Sequence, residues 1–424
     1  MKYLVFSSLC MFSIMASAQS NEVISQKIYA ELESLITHRY YFTARDLYKS
    51  QYDKLSKFHQ LKIGATIDNA FNRVESSNQK IELLLKNYDN LLSDSLRNDL
   101  LDTKQNNHSK LYEYRQAYNA INEILKKYSK ILKNEDVEDY KNTLNIWKVL
   151  VDQPKQLILI NGNTDMKMKK DKAGLSNLLV TNDTVKVPFI FDTGANFSTV
   201  TETTAKRLNM TIFDSLIDVG SITGQKIKAR IAICPVFTLG NIQVRNAVFI
   251  VFPDKELTIT QLDYVINGIL GFPVIEAFKE VEITKDGDFI VPKERTKYTE
   301  QNMAIHKLNP VINIDGEPYS FDTGADETML YDVYYKKHKK DIDGHYKEED
   351  LSFGGAGGQT TKKGFLVDFR HTINGKSLKL DSVMLFKDNI KEEENYYFGN
   401  IGQDFIKQFD KMTLNFEDMF IRFD

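Results

Sequence analysis

The second half of this 424-residue sequence contains the same three blocks twice, in the same order and at nearly the same spacing. The first block is an apolar run that ends in Asp-Thr-Gly-Ala, and its two copies place Asp192 and Asp322 130 residues apart. The second block is a glycine-bearing loop, and the third is an apolar segment that contains glycine. Their copies lie at residues 220–225 and 354–359, and at residues 268–275 and 399–406. This repeat predicts two copies of one domain of about 130 residues.

Each Asp-Thr-Gly-Ala sequence suits the delivery of a carboxylate to an interior site. The apolar residues before Asp192 and Asp322 are typical of a buried strand, and the glycine two residues later permits close backbone approach. Two such loops facing each other bring two carboxylates together, and like charges about 3 Å apart share a proton because both cannot ionise. One carboxylate can then act as a general base on water while the other donates to a substrate carbonyl. This pattern predicts amide hydrolysis without a covalent intermediate or a metal.

These motifs resemble those of the retropepsin-like aspartic proteases over roughly residues 157–424. The resemblance implies a mostly-β, bilobal acid-protease fold in a single chain. It also implies an aspartic endopeptidase, a hydrolase that binds a polypeptide substrate in extended conformation and uses no cofactor or metal. Asp192 and Asp322 would be the catalytic pair. The supporting loop residues would be Thr193, Gly194, Thr323 and Gly324, and the substrate-binding residues would be Asn196, Asp326, Gly220, Gly224, Gly354 and Gly358.

One residue of the second copy departs from the family pattern. Asn400 stands in the Gly-containing segment where the family keeps an apolar residue, which questions the packing beneath the second acidic loop. The departure does not question the two aspartates themselves. The alternative to an enzyme is a catalytically silent protein that uses the cleft and the helical repeats for peptide binding or as a scaffold. Cleavage of peptides that depends on both aspartates separates the two hypotheses.

The first half of the sequence is nearly free of residues that interrupt helices. All eight prolines lie at Pro154 or later, and Gly64 is the only glycine before Gly162. Because proline and glycine break helices, this composition predicts an all-α domain followed by strand-rich lobes. We expect a helical domain at residues 19–152, lobe 1 at residues 153–296 and lobe 2 at residues 297–424.

The predicted helical domain carries a faint repeat. Residues 42–55, 78–91 and 118–131 align, with matched tyrosines at 52, 88 and 128. These spacings are close to the period of helical-hairpin arrays such as tetratricopeptide repeats, which stack into a solenoid with a concave binding surface. The pattern favours a solenoid-like, tetratricopeptide-like domain with a surface for a protein partner. An irregular helical bundle is the alternative.

The N-terminal residues have the pattern of an export signal. Lys2 precedes a mostly apolar stretch, and Ala16, Ser17 and Ala18 supply small residues before Gln19, so residues 1–18 are expected to be a cleaved signal peptide. A retained N-terminal anchor is the alternative. After cleavage no other apolar run is long enough to span a membrane, which predicts an exported protein in the periplasm or outside the cell.

Charge and composition exclude other classes. The formal net charge is −3, which gives no reason to expect a nucleic-acid partner. Two cysteines rule out a disulfide scaffold, and the seven histidines form no zinc signature.

Overall fold

The computed structural model describes residues 21–220, 226–355, 358–373, 375–390 and 396–424. The expected signal peptide, residues 1–18, lies outside the described residues. Seven helices open the described chain. They are α1 (21–37), α2 (Tyr41–Gln51), α3 (Lys57–Ala70), α4 (Val74–Asn87), α5 (Asp94–Lys110), α6 (Tyr114–Lys127) and α7 (Asn134–Leu150). In the described part of the chain, no helix has the length and apolar character needed to cross a membrane.

The helices form three hairpins with equivalent turns, α1–α2, α3–α4 and α5–α6. Each turn contains one residue with positive φ, namely Arg39, Asn72 and Tyr112. The next backbone N–H donates to the carbonyl five residues earlier, which closes the end of the first helix. These bonds run from Tyr40 to Leu35, from Arg73 to Asp68 and from Glu113 to His108.

Short 3₁₀ turns connect these hairpins to the helices that follow them. The turns are Tyr52–Lys54, Asp89–Leu91 and Ser129–Ile131. The three tyrosines aligned in the sequence therefore stand at the same point of successive units, where the second helix of a hairpin ends. This arrangement is consistent with a tetratricopeptide-like region. The predicted fold class, a helical domain before a mostly-β region, is confirmed.

Lobe 1 is built on a nine-stranded sheet with two short helices, α8 (Glu202–Arg207) and α9 (Phe272–Glu276). The strands that follow α7 are β1 (Leu157–Ile160), β2 (Thr164–Lys167), β3 (Lys169–Lys170), β4 (Ser176–Asn182), β5 (Val185–Phe191), β6 (Ser198–Thr201), β7 (Thr211–Gly220), β8 (Lys226–Leu239), β9 (Ile242–Phe252), β10 (Thr258–Ile259), β11 (Tyr264–Val265), β12 (Gly268–Leu270), β13 (Glu280–Thr284) and β14 (Asp288–Val291). The order in the large sheet is β1-β9-β6-β12-β5-β4-β8-β7, with β3 on β4, and a further β8–β9 pairing folds the sheet back on itself.

Lobe 2 repeats this plan with an eight-stranded sheet and two helices, α10 (Asp332–His345) and α11 (Gln403–Ile406). Its strands are β15 (Met303–His306), β16 (Asn309–Ile314), β17 (Glu317–Phe321), β18 (Met329–Leu330), β19 (Glu349–Gly355), β20 (Gly358–Ile373), β21 (Lys376–Phe386), β22 (Gly399–Ile401), β23 (Lys411–Asn415) and β24 (Phe420–Phe423). The order is β15-β16-β17-β22-β18-β21-β20-β19. The expected domain borders, after residues 152 and 296, fall in the connections between α7 and β1 and between β14 and β15.

A third sheet joins the two lobes. Its order is β2-β14-β13-β23-β24, and the central pair β13–β23 aligns Glu280 with Asn415 across the lobe border. The fully buried Glu280 accepts hydrogen bonds from Asn415 Nδ2 (2.6 Å) and from the backbone N–H and hydroxyl of Thr296. A buried carboxylate needs such donors. Because these donors come from Asn415 in lobe 2 and from Thr296 in the linker, Glu280 connects lobe 1 to both.

The C-terminal part of the helical domain packs on lobe 1. Ile146, Trp147 and Leu150 of α7 share one buried apolar cluster with Ile217 and Ile231 of the β7–β8 hairpin. These side chains are removed from water by both partners at once, so the cluster stabilises the contact between the helical domain and the lobe.

Candidate active site

Both Asp-Thr-Gly loops begin where a buried strand ends. In lobe 1, β5 runs parallel to β12, and Asp192 N–H donates to Leu270 O at 3.1 Å. In lobe 2, β17 runs parallel to β22, and Asp322 N–H donates to Ile401 O at 3.0 Å. The same local pairing therefore sets the position of each carboxylate in its own lobe.

Crossed hydrogen bonds between two threonines hold the loops together. Thr193 N–H donates to Thr323 Oγ1 at 3.0 Å, and Thr323 N–H donates to Thr193 Oγ1 at 3.0 Å. Each hydroxyl then donates to a carbonyl of the other lobe, Thr193 to Phe321 (3.1 Å) and Thr323 to Phe191 (3.0 Å). Both threonines are buried, so all four bonds are shielded from water and fix the two loops against each other.

The two glycines of the motifs let each loop approach the opposite carboxylate. A Cβ on Gly194 would lie 2.5 Å from Cγ of Asp322, and a Cβ on Gly324 would overlap the carboxylate of Asp192 even more closely. Neither glycine is among those with positive φ, so space rather than a left-handed backbone requires glycine here. Each carboxylate thus packs over the glycine of the other lobe.

The carboxylates are oriented by their own loops. Oδ1 of Asp192 accepts from the N–H groups of Gly194 (2.8 Å) and Ala195 (3.1 Å), and Oδ1 of Asp322 accepts from Gly324 (2.8 Å). Burial, and then the charge and hydrogen bond of Asp322, raise the pKa of Asp192 well above its ordinary value, although the two N–H donors oppose this shift. The pair can therefore retain a proton at a pH at which an isolated aspartate has lost it.

A hydroxyl residue six positions after each aspartate supports the loops from below. Gly271 N–H donates to Ser198 Oγ (3.0 Å), and Gly402 N–H donates to Thr328 Oγ1 (3.1 Å). These hydroxyls join each acidic loop to the Gly-containing segment of its lobe. Neither Ser198 nor Thr328 was among the predicted site residues, although their equal distance from Asp192 and Asp322 was a signal that could have identified them.

The other predicted site residues lie at the surface or on hairpins. Asn196 and Asp326 are exposed, and Asp326 is 3.4 Å from the Lys407 ammonium. Gly220 ends β7, whereas Gly354 and Gly358 lie on the β19–β20 hairpin, where Gly358 pairs with Gly355. Gly224 and residues 221–225 as a whole, together with residues 356–357, lie outside the described residues.

The polar residue at position 400 has a polar partner in the next strand. Asn400 is buried, and its Oδ1 accepts from Ser320 Oγ at 2.7 Å across the β17–β22 pair. The equivalent pair in lobe 1 is Ile190 beside Ile269. Lobe 2 therefore has a hydrogen-bonded polar pair at the place where lobe 1 has an apolar pair. The polar residue at position 400 is accommodated beneath the second loop because its neighbour at position 320 is polar too.

We expect Ser320→Ile to destabilise the protein by about 1–3 kcal/mol, because it leaves the buried Asn400 oxygen without its donor. The double variant Ser320→Ile/Asn400→Ile should regain most of this loss, since it recreates the apolar pair of lobe 1. Denaturant unfolding of the four proteins of this cycle measures the coupling. Additive losses would show that the two side chains do not depend on each other.

A family described as Aspartyl protease matches residues 179–274, which include Asp192 and the segment 268–274. The chain contains an aspartyl-protease-like domain. No curated protein matches the chain. Among the described residues, no group of three or more His, Cys, Asp and Glu side chains is arranged to hold a metal ion.

Solved structures similar to part of this chain come from lupine seeds, soybean and Rickettsia conorii. Conglutin gamma from lupine seeds is 11% identical over 62% of this chain and 94% of its own, with a TM-score of 0.38. Basic 7S globulin from soybean has the same identity and coverage and a TM-score of 0.40. A retropepsin-like aspartic protease from Rickettsia conorii is 22% identical over 33% of this chain and 95% of its own, with a TM-score of 0.21.

Proposed function

We propose that this protein is an exported aspartic endopeptidase that hydrolyses peptide bonds with a water activated between Asp192 and Asp322. The crossed hydrogen bonds of Thr193 and Thr323 carry the proposal, because they hold two acidic loops from different lobes face to face. The aspartyl-protease-like domain supports a protease-like function on independent grounds.

The proposed mechanism uses one proton shared by the carboxylate pair. Asp192, whose pKa is raised by burial and by its partner, holds the proton and donates it to the substrate carbonyl oxygen. Asp322 accepts a proton from the water, whose oxygen bonds to the carbonyl carbon and forms a tetrahedral diol. Cleavage of the C–N bond follows when the nitrogen takes the proton from Asp322 and the diol returns a hydroxyl proton to Asp192. No covalent enzyme intermediate forms, and the carboxylate pair ends as it began.

The proposed substrate is a polypeptide in extended conformation. The acidic loops stand at the meeting point of two lobes, and each lobe has a long hairpin, β7–β8 and β19–β20, that can offer backbone groups to an extended chain. Asn196 and Asp326, one on each loop and both exposed, are the proposed contacts to the substrate backbone.

Incubation of the purified mature protein with a mixed peptide library tests the proposal. We expect wild-type cleavage to fall by at least about 10³-fold in Asp192→Asn and in Asp322→Asn, because each change removes one half of the pair. Asp183→Asn, in the exposed turn between β4 and β5, is the matched control and should cleave like the wild type. Peptide retention without cleavage by the folded wild-type protein would instead favour the catalytically silent binding protein.

We further propose that residues 1–18 direct export to the periplasm or the outside of the cell, a proposal supported by the small residues before Gln19. N-terminal sequencing of protein recovered from the exported fraction should begin at Gln19. A protein partner on the helical domain remains part of the proposal, since stacked hairpins present an extended surface.

A further inference from the structure

We infer that helix α7 is a positioning element of the lobe 1 half of the cleft, acting through Asn142 on the β7–β8 hairpin and through Trp147 on the loop that carries Asp192. The inference rests on the proposed function for its effect on substrate. It assigns the helical domain a role inside the enzyme.

Asn142 binds the edge of the lobe 1 sheet as a neighbouring strand would. Its Nδ2 donates to the carbonyl of Asp218 (2.7 Å), and its Oδ1 accepts from the N–H of the same residue (2.7 Å). Asp218 lies in β7, which is the last strand of the nine-stranded sheet and has β8 on its other side. An edge strand leaves one row of backbone groups without strand partners, and a side-chain amide can satisfy one donor and one acceptor of that row together.

The side chain of Asp218 has a separate partner. Its carboxylate is 2.7 Å from the Lys228 ammonium, across the pair that β7 makes with β8. The contact with α7 therefore involves only backbone groups of Asp218, whereas the ion pair belongs to the hairpin itself. This separation allows the two interactions to be removed independently.

The same helix also contacts the acidic loop. Trp147, five residues after Asn142, is buried, and its ring lies 6.1 Å from that of Phe197 between centroids. Phe197 follows the Asp-Thr-Gly-Ala-Asn run, and the carbonyl of Ala195 in that run accepts from Phe272 N–H (2.8 Å). One rigid helix thus touches both the stem of the hairpin and the base of the loop, so it fixes their relative position.

The corresponding hairpin of lobe 2 packs within its own lobe. Leu351 and Phe353 of β19 share a buried cluster with Phe386 of β21, and the rings of Phe353 and Phe386 lie 4.7 Å apart. The two hairpins are therefore held by different means, and the β19–β20 hairpin serves as an internal reference for the other.

Asn142→Ala tests the inference in two ways. Amide hydrogen exchange in residues 211–220 should become about tenfold faster, because two hydrogen bonds to β7 are lost, while exchange in residues 349–355 should not change. The KM for a cleaved peptide should rise by about fivefold with kcat within about twofold, as expected when the hairpin is less well placed for binding. Asn142→Asp retains the acceptor and loses the donor, so its effects should be intermediate.

Two controls isolate the contact. Asn145→Ala changes an exposed asparagine on the same helix and should leave exchange and KM as in the wild type. Asp218→Asn removes the ion pair but keeps both backbone bonds, so β7 should remain protected. Unchanged exchange in residues 211–220 of Asn142→Ala, or equal acceleration in residues 349–355, would overturn the inference. Hydrogen exchange is measured without substrate, so its result does not depend on enzymatic activity. If the wild type cleaves no peptide, the proposed function is contradicted, but the exchange experiment still tests whether α7 holds the β7–β8 hairpin.

Discussion

Gly194→Ala should reduce the kcat/KM for peptide cleavage by at least about 10²-fold, although it adds a single methyl group. That methyl would lie 2.5 Å from Cγ of Asp322 and 2.6 Å from both of its oxygens, so the carboxylate or the loop must move by about 1 Å. A displacement of that size moves the catalytic groups out of the geometry that the reaction requires. Gly324→Ala should cause a loss of similar size, because the same overlap occurs with Asp192.

Gly344→Ala is the matched control for these substitutions. Gly344 lies in the last turn of α10, where an added Cβ meets no atom within 4 Å. This control should retain wild-type activity and gain a little stability, since alanine favours helix. Activity of Gly194→Ala within about threefold of the wild type would show that the carboxylates do not need their positions over the glycines.

Asp192→Asn should make the folded protein more stable at pH 7, while it abolishes cleavage. Burial and the neighbouring carboxylate raise the pKa of Asp192 in the folded state above the value of about 3.9 that an aspartate has when unfolded. Between those two pKa values the unfolded chain has lost the proton and the folded chain has kept it. The stability of the wild type therefore falls as the pH rises through this window, by about 1.4 kcal/mol per pH unit for one proton.

Denaturant unfolding of both proteins at pH 4 and pH 7 measures this effect. Asp192→Asn should be more stable than the wild type at pH 7, and this advantage should shrink toward pH 4, where the unfolded wild-type chain regains part of its protonation. Asp183→Asn, in an exposed turn of the same lobe, should follow the wild type at both values. A stability difference that does not depend on pH would mean that Asp192 is not under electrostatic strain in the folded protein.

The sequence alone determined the architecture of this protein. Helix-breaking residues are absent before Pro154 apart from Gly64, which was enough to predict the helical domain. The duplicated blocks were enough to predict two lobes of one kind and to pair Asp192 with Asp322. These features are local or repeated in the sequence. They can therefore be recognised without knowing which distant segments of the chain come into contact.

Only the tertiary structure revealed how these parts hold one another. Asn142 and Asp218 are 76 residues apart, and Ser320 and Asn400 are 80 apart, so no periodicity links either pair. Asparagine and serine are common on helix and strand surfaces. The residue type alone does not indicate which backbone group or side chain will be the hydrogen-bond partner. Such contacts arise when separately formed elements pack, and the geometry of that packing, rather than any residue pattern, selects the partner.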